Sequence, residues 1–114
     1  MFAAHHRLDR LVVAIDANNS QVDGPVTSVT TIEPLKDKWR AFGWRAVELD
    51  GHDVEALLDA LRLQSDDAVP LVVIARTHVM GRVRAIPPTV DGHFIKLDAA
   101  LEAAIMRELE AGLA

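Results

Sequence analysis

Two short runs of β-branched and aliphatic residues, Leu11-Val-Val-Ala-Ile15 and Pro70-Leu-Val-Val-Ile-Ala75, constrain the fold of this chain more than any other feature. Each has strand length and is apolar without alternation, the pattern of a strand covered on both faces, as in parallel sheets. A third strand is expected over residues 44–49. Helical patterns separate the runs. Leu35, Trp39 and Phe42 share one face of a helix expected from about Pro34, whose missing N–H costs nothing in a first turn, and Gly43 supplies the stop. Trp39 and Phe42 are therefore expected in the core. Asp53 to about Leu63 is expected to be helical, with Val54, Leu57, Leu58 and Leu61 as its apolar stripe and Glu55, Asp59 and Arg62 facing away. A last helix carries Leu97, Leu101, Ile105 and Leu109 on one face and ends at Gly112, while residues 1–8 read as the tail of another.

Strands separated by helices of this length imply right-handed crossovers and a parallel, doubly wound, Rossmann-like α/β sheet flanked by helices. With 114 residues, the chain is expected to be a single domain over residues 1–114. Ligands of such sheets bind beyond the carboxyl ends of the strands. Three polar stretches fall there: Asp16 to Ser20, Asp50 to Asp53, and Arg76 to Arg82. The first opens a loop dense in Asn18, Asn19, Ser20, Asp23, Gly24 and Pro25. Residues 76–94 have no steady period and contain Gly81, Pro87, Pro88 and Gly92, which reads as an irregular loop.

Composition removes several function classes. The unbroken apolar runs, Leu11 to Ile15 among them, are far short of the ~20 residues that a membrane span needs. A net charge of −5 argues against non-specific binding to nucleic acid, where lysine and arginine must neutralise phosphates. The basic cluster Arg76, Arg82 and Arg84 reads as a solvated loop. Cysteine is absent, which excludes disulfides and thiolate metal sites and suits a cytoplasmic location.

Four stretches carry a more specific resemblance. The segment from Met1 through Leu11-Val-Val-Ala-Ile-Asp-Ala-Asn18-Asn-Ser-Gln-Val-Asp-Gly24 is similar to the amino-terminal, thiamine diphosphate-binding subunit of split transketolases. Glu33-Pro-Leu-Lys-Asp-Lys-Trp-Arg-Ala-Phe-Gly-Trp44, Asp50-Gly-His-Asp-Val-Glu-Ala-Leu57 and Val72-Val-Ile-Ala-Arg-Thr77 continue the likeness in the family's order and spacing. In that family a Gly-Asp-Gly turn after one strand and an asparagine after the next hold a divalent ion that clamps the cofactor diphosphate. The resemblance implies that Asn18 offers its side-chain oxygen and Ser20 its backbone carbonyl to Mg2+ or Ca2+, and that both residues contact the cofactor. Such hard ions take oxygen donors, and magnesium often takes few protein groups beside phosphate oxygens. Asn19 stands where the split enzymes often have glycine. Towards the C-terminus, Met80-Gly-Arg-Val83 and Asp91-Gly-His93-Phe94 stand in loosely for a Lys-Gly-Lys-Gly-like loop and a Trp-His pair. On that alignment His93 matches a histidine that reaches cofactor or substrate.

Only 17 residues precede Asn18, and no Gly-Asp-Gly is among them. The resemblance therefore implies partner chains: an upstream cofactor-binding fragment and a pyrimidine-domain transketolase subunit, in an oligomer acting on sugars by ketol transfer. A different class of function stands beside it, a truncated, non-catalytic remnant that serves as a binding or scaffolding module and self-associates when alone. A phosphoryl-receiver reading of Val12 to Asp16 lacks the paired acids that such a site requires.

Several polar residues also have plain readings. Asp16 can serve as a strand-end acid or bond backbone; Asp50 and His52 suit bracing the following helix. His5 and His6, adjacent in one helix, point to different sides. His78 and His93 fall in loops at the expected ligand edge, and Asp66-Asp67 reads as solvated loop.

Overall fold

The computed structural model describes residues 1–63, 68–81, 83–87 and 94–112. They fall into two compact units, Met1–Thr77 and His78–Ala114. In chain order the first holds α1 (Phe2–His5), β1 (Val12–Asp16), β2 (Ser20–Gln21), β3 (Gly24–Pro25), α2 (Val26–Val29), α3 (Leu35–Ala41), β4 (Arg45–Asp50), α4 (Val54–Arg62) and β5 (Leu71–Arg76). The second holds α5 (Ala99–Gly112). No helix among the described residues is long and apolar enough to cross a membrane.

β5 lies at the centre of a parallel sheet, with β1 on one side and β4 on the other. Val13, Val72 and Ala46 stand side by side, as do Ile15, Ile74 and Glu48. The chain therefore leaves β1, crosses to the far edge, and returns through α4 to the middle. The two faces of the sheet follow from strand parity. Val72 and Ile74, both 0% exposed, pack with Trp44 and Ala46 on one face, joined by Leu35 and Trp39 of α3 and Ala3 and Ala4 of α1. Leu71 and Val73 look the other way, towards Ala60 and Leu57 of α4. Helices thus flank both faces of a parallel α/β sheet, as the alternation of strand and helix patterns implies.

Three expectations about burial are corrected. The apolar run of β1 is not covered on both faces: Val12, Ala14 and Asp16 are exposed, because among the described residues β1 is an edge strand while α4 packs over β4 and β5. Among the described residues, continuous burial belongs to β5 alone, where Leu71, Val72, Val73 and Ile74 are all buried at the sheet centre. In α4, Leu57 and the buried Ala60 reach the sheet, while Val54, Leu58 and Leu61 remain exposed. A small residue on the contact line lets the helix lie close to the strands, so the bulkier part of the stripe turns outward. Phe42, at the C-cap of α3, is 50% exposed rather than core. Trp39 meets the expectation, with its ring edge-on to Trp44 at 4.7 Å between centroids.

Candidate functional site

The carboxyl ends of β1 and β5 meet in register, Asp16 beside Ala75, and Ala17 N–H extends the ladder to the Ala75 carbonyl at 2.8 Å. Immediately beyond, the chain turns through Asn18 and Asn19. The Asp16 carboxylate accepts a hydrogen bond from the Thr77 hydroxyl just beyond β5 and another from Asn18 Nδ2 at 3.2 Å. Asn18 Oδ1 accepts the Ser20 N–H at 2.8 Å. This arrangement fixes which end of the amide is which. An ionised carboxylate only accepts and a backbone N–H only donates, so the amide nitrogen faces Asp16 and the oxygen faces Ser20.

Asn19 adopts φ = 57°, the left-handed region that glycine favours and asparagine tolerates best among larger residues. Asparagine therefore suits this turn position. Val26 N–H bonds the Asn19 carbonyl at 3.0 Å, which makes the next pair of the hairpin, Ser20 opposite Pro25, the non-bonded position of an antiparallel ladder. Proline has no N–H to offer, and both backbone groups of Ser20 face away from β3. Its N–H meets Asn18, and its carbonyl is turned outward.

Asp16, Asn18 and Ser20 line one side of a cleft of about 340 Å³, with Thr27, Glu33 and Arg76 among its other walls. Arg76, expected in a solvated loop, is instead the last residue of β5 and forks between two carboxylates. Its Nε lies 2.9 Å from Glu48 on β4, and its terminal nitrogen 2.7 Å from Glu33. Glu33 also accepts the Leu35 N–H at 2.8 Å, a first-turn group of α3 that the N-cap Pro34 has no side-chain oxygen to satisfy. That backbone bond, then Arg76, holds the Glu33 carboxyl below the usual carboxylate range. Glu48 first, then Glu33, raises the Arg76 guanidinium above its ordinary value.

The donor set suits a hard divalent ion. Asn18 Oδ1 retains acceptor capacity beside its bond to Ser20, and the Ser20 carbonyl points away from β3, so both groups assigned by the resemblance are oxygen donors from one tight loop. Among the described residues no three His, Cys, Asp or Glu side chains converge as a metal cage, so His5 and His6 have no third such ligand. His78 opens the second unit, where Gly81 N–H bonds its carbonyl at 2.9 Å. His93, Arg82 and Asp66-Asp67 lie outside the described residues. At the second polar rim, Asp50 Oδ1 accepts the His52 N–H and Asp53 caps α4 through the Ala56 N–H, both at 3.0 Å, which is a bracing role. Within the second unit, Glu108 of α5 accepts the backbone N–H groups of Arg84 and Ala85, and these hold its carboxyl below the usual range.

Sequence reading missed Thr77 and the ion pairs of Arg76. Glu48 stands opposite Ile74, and Arg76 follows two residues later on the same face, but the pairing is legible only once the register of β4 and β5 is known.

The family model for the transketolase thiamine diphosphate binding domain matches residues 1–111. The 6-deoxy-6-sulfo-D-fructose transketolase subunit SqwG of Clostridium sp. is 33% identical over 112 residues, 96% of this chain and 40% of that protein. An apulose-4-phosphate transketolase subunit of Actinobacillus succinogenes is 36% identical over 75 residues, 66% of this chain and 27% of that protein. The crystal structure of transketolase from Campylobacter jejuni superposes with a TM-score of 0.60 at 29% identity, covering 66% of this chain and 12% of that one. The chain thus spans two-fifths or less of each of these relatives, and it belongs to the transketolase family, within its thiamine diphosphate-binding domain.

Proposed function

We propose that this chain supplies the Asn18–Ser20 half of a magnesium and diphosphate clamp in a transketolase assembled from more than one polypeptide. The observation that carries the reading is the amide of Asn18, held between the Asp16 carboxylate and the Ser20 N–H in a loop that lines a cleft. Mg2+, or Ca2+ in its place, would take Asn18 Oδ1 and the Ser20 carbonyl as two of its oxygen ligands. Bound thiamine diphosphate supplies a carbanion equivalent for ketol transfer between sugars. The role of this chain is to hold the diphosphate end, with His93 reaching cofactor or substrate. The remaining metal ligands come from parts of the enzyme beyond these residues, and the pyrimidine-binding domain from a partner subunit in the cytoplasm. Two relatives named as transketolase subunits support a divided enzyme.

Co-expression with the products of neighbouring open reading frames, followed by an assay of thiamine diphosphate-dependent ketol transfer, tests this. Activity that is lost in Asn18→Ala and reduced in His93→Ala is the expected result. A stable complex with partner chains and no transfer in any mixture would instead establish a binding module.

A further inference from the structure

We infer that Asp16 and Thr77 are positioning residues for the cation site: Thr77 anchors the Asp16 carboxylate, and Asp16 sets the orientation of the Asn18 amide. The inference rests on the reading of Asn18 as a metal ligand and adds the device that makes it one. An asparagine amide is nearly symmetric in shape, and a half-turn about its last bond would present NH2 donors where a cation needs oxygen. The Ser20 N–H selects for oxygen at one end, through a contact two residues away in the same turn. Asp16 selects for nitrogen at the other end. Removing Asp16 leaves the amide held at one end only.

Asp16 would itself be free to swing if it relied on its own loop. It is tied instead to Thr77, 61 residues further on, just beyond the central strand. Thr77 is backed in turn by Gly51, where an added Cβ would overlap the threonine methyl and lie 3.0 Å from Ala75 Cβ. The Gly51 N–H also bonds the Arg76 carbonyl, so the turn after β4 lies against the strand end that carries Thr77. The strand pairing does not need the Thr77 hydroxyl, since backbone bonds such as Ala17 to Ala75 hold β1 against β5. A bond that the sheet does not require, placed on a carboxylate that contacts the proposed ligand, fits the way partners of metal ligands tune affinity.

The test uses the full chain with Asp16→Ala, Thr77→Val, Thr77→Ser and Asn18→Ala variants, read two ways. In 15N-labelled protein without metal, the side-chain NH2 pair of Asn18, identified by its loss in Asn18→Ala, should move towards free asparagine in Asp16→Ala and Thr77→Val but not in Thr77→Ser. Titration with Mn2+ in the presence of thiamine diphosphate, within the partner complex, should show affinity weakened on the order of tenfold in Asp16→Ala and Thr77→Val and restored in Thr77→Ser. If Asp16→Ala does not fold, the Thr77→Val and Thr77→Ser pair decides. Wild-type affinity in Thr77→Val overturns the positioning role while leaving Asn18 as ligand. Affinity unchanged in Asn18→Ala, or no Mn2+ binding by the wild type, overturns the metal reading and this inference with it.

Discussion

Arg76 reaches Glu33 at 2.7 Å while its Nε holds Glu48 at 2.9 Å, so one guanidinium ties the central strand both to its neighbour and to the residues leading into α3. A lysine has no planar fork for two separate carboxylates. The Glu33 pair is partly exposed, with side chains 39% and 44% accessible, so solvent screening limits its worth. Arg76→Lys should cost only about 1 kcal/mol or less in denaturant unfolding.

The titration of Glu33 follows from the same contacts. Its folded pKa is depressed below the ordinary value of a glutamate side chain. The associated stability is therefore present above the unfolded value and lost as pH falls through the lower folded value. Because the Leu35 N–H is the largest cause and Arg76 the next, Arg76→Ala should raise the Glu33 midpoint only part of the way back. Side-chain carboxyl NMR across the acid range measures it; full recovery in that variant would assign the shift to the ion pair alone.

Asn19 offers a test of the turn. Its φ of 57° requires a residue that tolerates the left-handed region. Asn19→Gly should change stability by no more than a few tenths of a kcal/mol, whereas Asn19→Val should cost about 1–2 kcal/mol or more, since a β-branched residue resists this conformation. Denaturant midpoints for the two variants decide it, and equal values would mean that the turn adapts.

The layered order of the fold was legible because strand and helix periods differ and because β5, buried on both faces, leaves a run with no polar interruption. The equally apolar β1 misled, since its position at the sheet edge is a property of strand order rather than of its own residues. The stripe of α4 misled for a related reason: Ala60, too small to mark a hydrophobic face, is what touches the sheet. At the site, Asn18 and Ser20 could be singled out by the words around them. Thr77 could not, since nothing local to it says that a carboxylate 61 residues earlier will lie against its hydroxyl.

Gly51 is a case where a side chain has no room. An added Cβ would stand 3.0 Å from Ala75 Cβ and 3.2 Å from the Arg76 carbonyl, as well as against Thr77. The carbonyl accepts the Gly51 N–H at 2.8 Å and belongs to the central strand, so it cannot easily retreat. Gly51→Ala should cost about 1–3 kcal/mol, as overpacking does. It should also shift the Asn18 side-chain NH2 signals through Thr77 and Asp16. A variant as stable as the wild type would show that the turn can open.

The far end of the sheet makes a different demand. Near the amino ends of β1 and β4, Phe2 (72% exposed), Leu11 and Phe42 line an open apolar cleft of about 580 Å³ with Trp44 at its base. Contiguous apolar surface of this kind is seldom left to water. The chain alone should therefore bind a hydrophobic dye and self-associate with rising concentration. Phe2→Ser combined with Phe42→Ser should shift sedimentation towards the monomer while sparing the core, because neither side chain is buried. If the double variant associates as strongly as the wild type, the contact lies elsewhere, and exposed Val54, Leu58 and Leu61 of α4 become the face to substitute next.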